Sequence, residues 1–326
     1  MRYAAVLGEA LVDLLETPTD TGQIYRSAIG GAPLNVAVGV RRLGGAAHFI
    51  GALSDDLWGD RIAAFLTDNG VETRGVRRVT AASTLALTTF AGPEPQFRFY
   101  GAPASYAQLR TTDLDPALLA GAAVLYTGSI SLLAQPILDA ARHAWARPGP
   151  LRVLDPNVRP ALLPDRAAVV HLRDLIEHFA ATADLVKLSE ADAAVLYDGA
   201  SAAQAATRLR TIGAAAVVVT LGSRGAWLDA YDETTSIAAP AVTAIDATGA
   251  GDSVMAALIS RLLDTGVPDA AAGWRDDIRF ALHVAGLVCE RPGGAAAMPT
   301  RAEVRQRWGM VVPNSGDLRR TRTARR

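Results

Sequence analysis

The chain has 326 residues, 50% of them hydrophobic and 20% charged, with 32 Lys and Arg against 33 Asp and Glu for a formal charge of −1. At roughly 150 residues per domain the length allows one large α/β unit or two smaller ones, and such a chain buries a core without disulfides or a structural metal. The single cysteine, Cys289, excludes a disulfide framework and a Cys-rich zinc module, and the balanced charge argues against a dedicated nucleic-acid binder.

The opening run Tyr3-Ala4-Ala5-Val6-Leu7 turns polar at Gly8-Glu9, too short for a signal peptide or a membrane span, so a cytoplasmic protein with no membrane partner is expected. Short apolar runs then alternate with stretches of helical period, the pattern of βα repeats around a parallel sheet. Buried strands are expected at 3–7, 48–53, 123–126, 152–154, 185–188 and 216–220. Helices are expected over 33–43, 58–69, 136–146, 191–196, 202–212, 252–264 and 278–289, several of them followed by glycine: Gly44, Gly70, Gly213 and Gly266. Two stretches, 11–29 and 84–100, read instead as strand, turn, strand and predict a small separate sheet, a lid inserted into the α/β unit. His48, His143, His171, His178 and His283 show no metal-ligand spacing, and His171 and His178, which would share a helix face, read as surface residues. The end of the chain, 311–326, gathers Arg319, Arg320, Arg322, Arg325 and Arg326 and reads as a disordered basic tail. One lysine, Lys187, stands against 31 arginines; the residues around it are not a Walker A loop, and no HRD or DFG triplet exists.

Each expected parallel strand ends in a polar cluster: Gly8-Glu9, Thr127-Gly128-Ser129, Asp155-Pro156-Asn157, Lys187-Leu188-Ser189 and Thr220-Leu221-Gly222. Ligands of open α/β sheets sit outside the carboxyl ends of strands, so these clusters would converge on one crevice, although any one alone could be a helix cap. The sharpest local signal is Asp246-Ala247-Thr248-Gly249-Ala250-Gly251-Asp252, opening a helical run. Two glycines before a helix present successive N–H groups at the positive end of its dipole, an anion site. Asp252 in the first turn suits either a stabilising cap or a general base beside that anion. A dinucleotide fingerprint fails, because Val254 stands where a third small residue is required.

With these motifs in hand, the chain resembles the ribokinase/fructokinase-like (PfkB-type) carbohydrate kinases from about residue 1 to 305, and most closely their fructokinase branch. The match rests on Gly8-Glu9-Ala10-Leu11-Val12-Asp13-Leu14, Gly30-Gly31-Ala32-Pro33-Leu34-Asn35, Asp155-Pro156-Asn157-Val158-Arg159-Pro160, Thr220-Leu221-Gly222-Ser223-Arg224-Gly225 and 246–252, in the family's order and spacing. The resemblance implies a ribokinase-like three-layer α/β sandwich with a mainly parallel sheet over 1–310, a β lid from about 11–30 and 84–106, and ATP and a sugar as substrates; exposed lid strands are association-prone edges and predict a lid-mediated homodimer. By the same resemblance Asp252 is the base, and the Gly249, Ala250 and Gly251 N–H groups stabilise charge on the transferred phosphoryl group. Asp13, Gly30, Gly31, Asn35, Arg98 and Arg159 look like sugar contacts. Thr220, Gly222, Gly225 and Gly251 look like nucleotide contacts, with Ser189 and Asp192 standing where the family often has Asn and Glu tied to magnesium and phosphate. Mg²⁺ is implied as Mg·ATP, and K⁺ at Asp246 and Thr248 with carbonyls near Val288, Arg291 and Gly293.

Four departures stand out. Ser54 replaces a usual Gly, and Ala247 replaces Thr, Ser or Pro. Phe99-Tyr100-Gly101 and Ser105-Tyr106 lack the basic and acidic lid contacts, and Ala297 stands where a Ser is frequent. A fructokinase-like sugar kinase is therefore expected, with 2-keto-3-deoxygluconate, ribose and nucleosides as other substrates. The rivals are a non-catalytic sugar- or nucleotide-binding regulator on the same scaffold and, more distantly, a Rossmann oxidoreductase.

Overall fold

In a computed structural model of the chain, which describes residues 2–19, 22–91 and 94–309, the first apolar run forms β1 (Tyr3–Leu7) inside a large sheet. The chain continues through β2 (Leu11–Thr19), β3 (Gly22–Gly30), α1 (Ala32–Arg42), β4 (Ala46–Ser54), α2 (Leu57–Asp68), β5 (Glu72–Val79), β6 (Leu85–Ala91) and β7 (Glu94–Tyr100). It then forms α3 (Pro116–Gly121), β8 (Val124–Gly128), α4 (Ile137–Trp145), β9 (Leu151–Asp155), α5 (Arg166–Ala180), β10 (Leu185–Ser189), α6 (Glu190–Leu196), α7 (Ala202–Ile212) and β11 (Ala216–Thr220). β12 (Ala226–Ala230), β13 (Glu233–Ile237), α8 (Ala250–Thr265), α9 (Ala271–Cys289), α10 (Gly294–Ala297) and α11 (Arg301–Trp308) complete it. The Arg-rich stretch 311–326 lies outside the described residues.

Among the described residues the large sheet runs β13-β12-β11-β10-β9-β8-β1-β4-β5, parallel from β11 to β5, with β12 and β13 folded back antiparallel. Its inner strands, such as β1, β8 and β11, are buried on both faces, which is why they read as unbroken apolar runs. Ala4 and Val6 of β1 point into a core with α1, α2, α8 and α9, whereas Ala5 and Leu7 point into a second core with α3, α4, α5 and α7. Two cores on one sheet make three layers, as expected. On the first side α1 lies directly against α8, with Gly39 meeting Ala256.

The strand-turn-strand stretches form a second sheet in the order β3-β2-β6-β7. Its hairpins β2–β3 and β6–β7 are antiparallel, while β2 and β6 run parallel at its middle. β2 leaves the carboxyl end of β1 within a few residues, so this sheet starts where the polar clusters gather.

The structure also corrects the expected bounds. α8 starts at Ala250, which brings Ala250 and Gly251 into its first turn, and α9 starts at Ala271 rather than at 278. His171 and His178 lie exposed on α5, the surface placement expected of them.

Candidate active site

The carboxyl ends of β11, β10, β9, β8 and β1 are successive neighbours in the sheet, so their five polar clusters do converge. β9 and β10 pair with Val153 opposite Leu185 and Leu154 opposite Val186. One step on, Asp155 and Lys187 meet side by side, with Lys187 Nζ 2.7 Å from Asp155 Oδ2. The other oxygen of Asp155 accepts the N–H of Asn157 at 3.2 Å, which holds Asn157 in a left-handed turn at φ 40°.

Opposite these strand ends stands the N-terminus of α8. Asp246 anchors the loop before it: Oδ1 accepts the Thr248 N–H at 2.8 Å and Oδ2 accepts the Gly293 N–H at 2.9 Å. Burial alone would raise its carboxyl, but these bonds outweigh that and hold it below the usual carboxylate range. Gly249 sits at φ 79° with the Gly294 backbone 2.9 Å from where a Cβ would stand, so no other residue fits there without strain. The Ala250 N–H turns back to the Ala247 carbonyl at 3.1 Å and the Ser253 N–H reaches Gly249 at 2.8 Å. The N–H groups of Gly251 and Asp252 have no backbone acceptor among the described residues, as the first turn of a helix leaves them.

Asp252 is buried between two amides. Asn35 Nδ2 of α1 donates to Oδ2 at 2.7 Å, and Asn157 Nδ2 donates to Oδ1 at 3.2 Å. Arg159 Nη1 in turn donates to Asn157 Oδ1 at 2.6 Å, so a chain of bonds runs from Arg159 through Asn157 to Asp252. Asn35 Oδ1 is buried and has no partner among the described residues, an acceptor placed beside the carboxylate. Asp13 lies over Gly30 at the base of the small sheet, and Gly31 precedes α1. Burial lifts the Asp13 carboxyl to about 6; the Arg159 guanidinium opposes the rise and the Asp252 charge adds to it. Asp13, Asn35, Arg159 and Asp252 therefore share one polar pocket, whereas Arg98 stands exposed on β7.

The expected nucleotide residues line up beside it. Ser189 caps α6, its Oγ accepting the Asp192 N–H at 3.0 Å, while Asp192 accepts the Ser189 N–H at 2.8 Å and reaches across to the Val158 N–H at 2.9 Å. Thr220 ends β11, and Gly222 to Gly225 close a tight turn in which the Leu221 N–H reaches the Gly225 carbonyl at 2.8 Å. Of the residues read for a cation, Asp246, Thr248 and Gly293 are joined by hydrogen bonds, while the Arg291 side chain leaves for Glu303 at 2.8 Å.

Three side chains at this site carry no role in the sequence reading. Asn157 and Lys187 are quoted there only within motifs, and Glu9 only as a polar strand end. Glu9 is 1% exposed, accepts from the Ser131 N–H at 3.3 Å, and is pushed up to about 7, chiefly by burial. The signal for Lys187 is its singularity among 31 arginines.

The departures have local causes. Gly101 adopts φ 97° with the Ser83 carbonyl 2.7 Å from where a Cβ would stand, so an Arg there would need another backbone path. Tyr106 is buried, its hydroxyl pushed up to about 12 by that burial and by the Glu9 charge. Ser54 Oγ accepts the Asp56 N–H at 3.1 Å, a bond that glycine could not make.

Comparison with known proteins settles the family. The model of pfkB family carbohydrate kinases matches residues 1–301. The chain belongs to this family. As a pfkB family member it is a carbohydrate kinase, an enzyme that transfers a phosphoryl group. Fructokinase-1 of Zea mays is 35% identical over 310 residues, an overlap of 92% of this chain and 95% of the relative. Fructokinase of Vibrio cholerae O395, solved with fructose, ADP and calcium, superposes with a TM-score of 0.83 at 27% identity, covering 94% of this carbohydrate kinase and 98% of the other chain. Aminoimidazole riboside kinase of Salmonella enterica, solved with aminoimidazole riboside and an ATP analogue, gives 0.81 at 26%, covering 94% and 99%.

Proposed function

We propose that this carbohydrate kinase transfers the γ-phosphoryl group of ATP to a hydroxyl of fructose or a closely related ketose, with Asp252 as general base. The observation that carries the reading is Asp252 held between Asn35 and Asn157 at the amino end of α8. A sugar hydroxyl entering the pocket donates to Asp252, and the longer Asn157 bond is the one that yields. As the hydroxyl oxygen forms its bond to the γ-phosphorus, its proton passes to the Asp252 carboxylate. The bond from that phosphorus to the bridging oxygen breaks with its electron pair, and ADP leaves. The charge on the phosphoryl oxygens is met by the Gly251 N–H and by the helix dipole, since such transfer depends mainly on positioning and charge stabilisation; the Ala250 N–H, expected to share this task, is taken by the Ala247 carbonyl at 3.1 Å. Asp13, the free Oδ1 of Asn35 and Arg159 offer directed partners for the remaining hydroxyls. Fructose is the first substrate to test because relatives of the chain are named fructokinase.

Mg²⁺ belongs to the same proposal as a passenger on the nucleotide. Among the described residues no cluster of three or more His, Cys, Asp or Glu is placed to hold a metal, which suits an ion carried largely by phosphate and water. K⁺ beside Asp246 is included as well, because a carboxylate kept ionised next to the backbone of Thr248 and Gly293 is a hard oxygen donor. The small sheet acts as a lid over the sugar and as the contact of a homodimer. A cytoplasmic setting accompanies this reading; among the described residues no helix is long and apolar enough to cross a membrane.

The test is ADP release with Mg·ATP over fructose, other ketoses, ribose, nucleosides and 2-keto-3-deoxygluconate, each with and without potassium. Turnover with a ketose is expected. Turnover with a nucleoside or sugar acid alone would replace the substrate, and ATP binding with no turnover across the panel would favour the non-catalytic regulator.

A further inference from the structure

Lys187 is the single lysine of a chain that otherwise uses arginine for every basic side chain, 31 times. It is 3% exposed and its partner Asp155 is 0% exposed. Burying such a pair costs several kcal/mol of desolvation per ion, and well-packed apolar replacements are often neutral or stabilising, so stability alone does not account for it. Its position does offer an account. The ammonium stands 3.1 Å from where a Cβ on Gly251 would be, against the first turn of α8. Burial works against the charge of Lys187, but Asp155, Asp252 and Asp192 together hold the ammonium form in place. An ammonium has three donors, and Asp155 takes one in the structure. A planar guanidinium is wider than an ammonium, and the space against Gly251 is already tight for a methyl group.

We propose that Lys187 is a positioning residue for phosphoryl transfer: held by Asp155, it sets the first turn of α8 through Gly251 and adds a fixed positive charge behind the N–H groups that face the transferred phosphoryl group. The inference rests on the sugar-kinase reading above and deepens it. It also gives the glycine at 251 a reason, since a side chain there would crowd the ammonium. Charge acting on the phosphoryl group in flight should change turnover rather than substrate affinity.

The experiment uses the full chain as wild type, Lys187→Met and Lys187→Met/Asp155→Asn, the asparagine keeping an oxygen for the Asn157 N–H. The double variant leaves no buried unpaired carboxylate, so it reports even if the single variant fails to fold. Affinity for Mg·ADP is measured alone and with aluminium fluoride, which imitates the phosphoryl group in transit, alongside kcat and KM on the best substrate. Expected are Mg·ADP affinity and both KM values within about threefold of wild type, with kcat lower by roughly 100-fold in both variants. The gain in ADP affinity from aluminium fluoride should fall at least about tenfold. A gain that is equal in variants and wild type, or absent from wild type, overturns the proposal, as does a kcat within threefold of wild type. A wild type that phosphorylates no sugar yet loses its aluminium fluoride gain on substitution would sink the sugar reading and leave Lys187 in its role.

Discussion

Both oxygens of Asp252 accept from side-chain amides, so the carboxylate is aimed rather than merely buried. Asp252→Asn removes the proton acceptor while keeping shape and size. It should lower kcat by roughly 10²–10⁴-fold. Sugar affinity, measured by calorimetry, should stay within a few-fold; undiminished turnover would remove Asp252 from the base role. Glu9 makes a different prediction. Its carboxyl is raised from 4.5 to about 7 in the folded chain, chiefly by burial. The folded state therefore keeps a proton that the unfolded state has lost, and stability falls as pH rises from about 4.5 through about 7. The loss is of the order of 3 kcal/mol. Urea midpoints taken across that range should fall in wild type and stay flatter in Glu9→Gln; parallel slopes would show that Glu9 is not the titrating group.

Helix α2 shows how an element is fixed at the edge of the site. Asp56 caps it by accepting the Gly59 N–H at 2.8 Å, and also binds the Ser83 N–H at 2.9 Å and hydroxyl at 2.8 Å, just before β6 enters the small sheet. Burial pulls its carboxyl up, but these bonds win and bring it to about 2, so its contribution is present above 3.8 and lost as pH falls through about 2. Asp56→Ala should cost about 1–2 kcal/mol in equilibrium unfolding at neutral pH, and a variant as stable as wild type would refute the cap. Elements were legible in the sequence where burial was two-sided or a stripe was clean. β1, β8, β10 and β11 are apolar on both faces and stand where expected. β12 and β13 were not legible, because an antiparallel edge carries Asp229, Glu233 and Thr234 among its residues and looks like a loop. α11 buries Val304 and otherwise presents charge, so it has no stripe to read. α5 did carry one, Leu172, Leu175, Ile176 and Phe179, but His171, Arg173, Asp174, Glu177 and His178 are threaded through it. In the site, the Asp246 to Asp252 loop was legible because glycines before a helix mark an anion site, and Asn35 was legible only through the family resemblance of its motif. The Arg159–Asn157–Asp252 chain was not, since nothing local says that residues 95 apart will touch.

For the molecule as a whole, the small sheet carries open edges that are also apolar. β3 and β7 form its two sides, and Ile24, Tyr25 and Tyr100 stand exposed on them. Exposed strand edges of this kind pair readily with another copy. Light scattering should give twice the monomer mass, and Ile24→Asp/Tyr25→Glu should return it to one; a wild-type monomer at working concentration would rule the lid dimer out. The α1–α8 contact has a consequence in time. Asn35 and Asp252, bonded at 2.7 Å, are 217 positions apart along the chain. At about 5–20 residues per second on the ribosome, roughly 10–40 s pass between their syntheses. Throughout that interval α1 has been made and its partner helix has not, so the apolar face that will receive Ala256 waits uncovered. A nascent chain stopped before residue 250 would hold most of the parallel sheet and every proposed sugar contact except the proposed base. The proposed base and the face that packs on α1 therefore arrive together, late in synthesis.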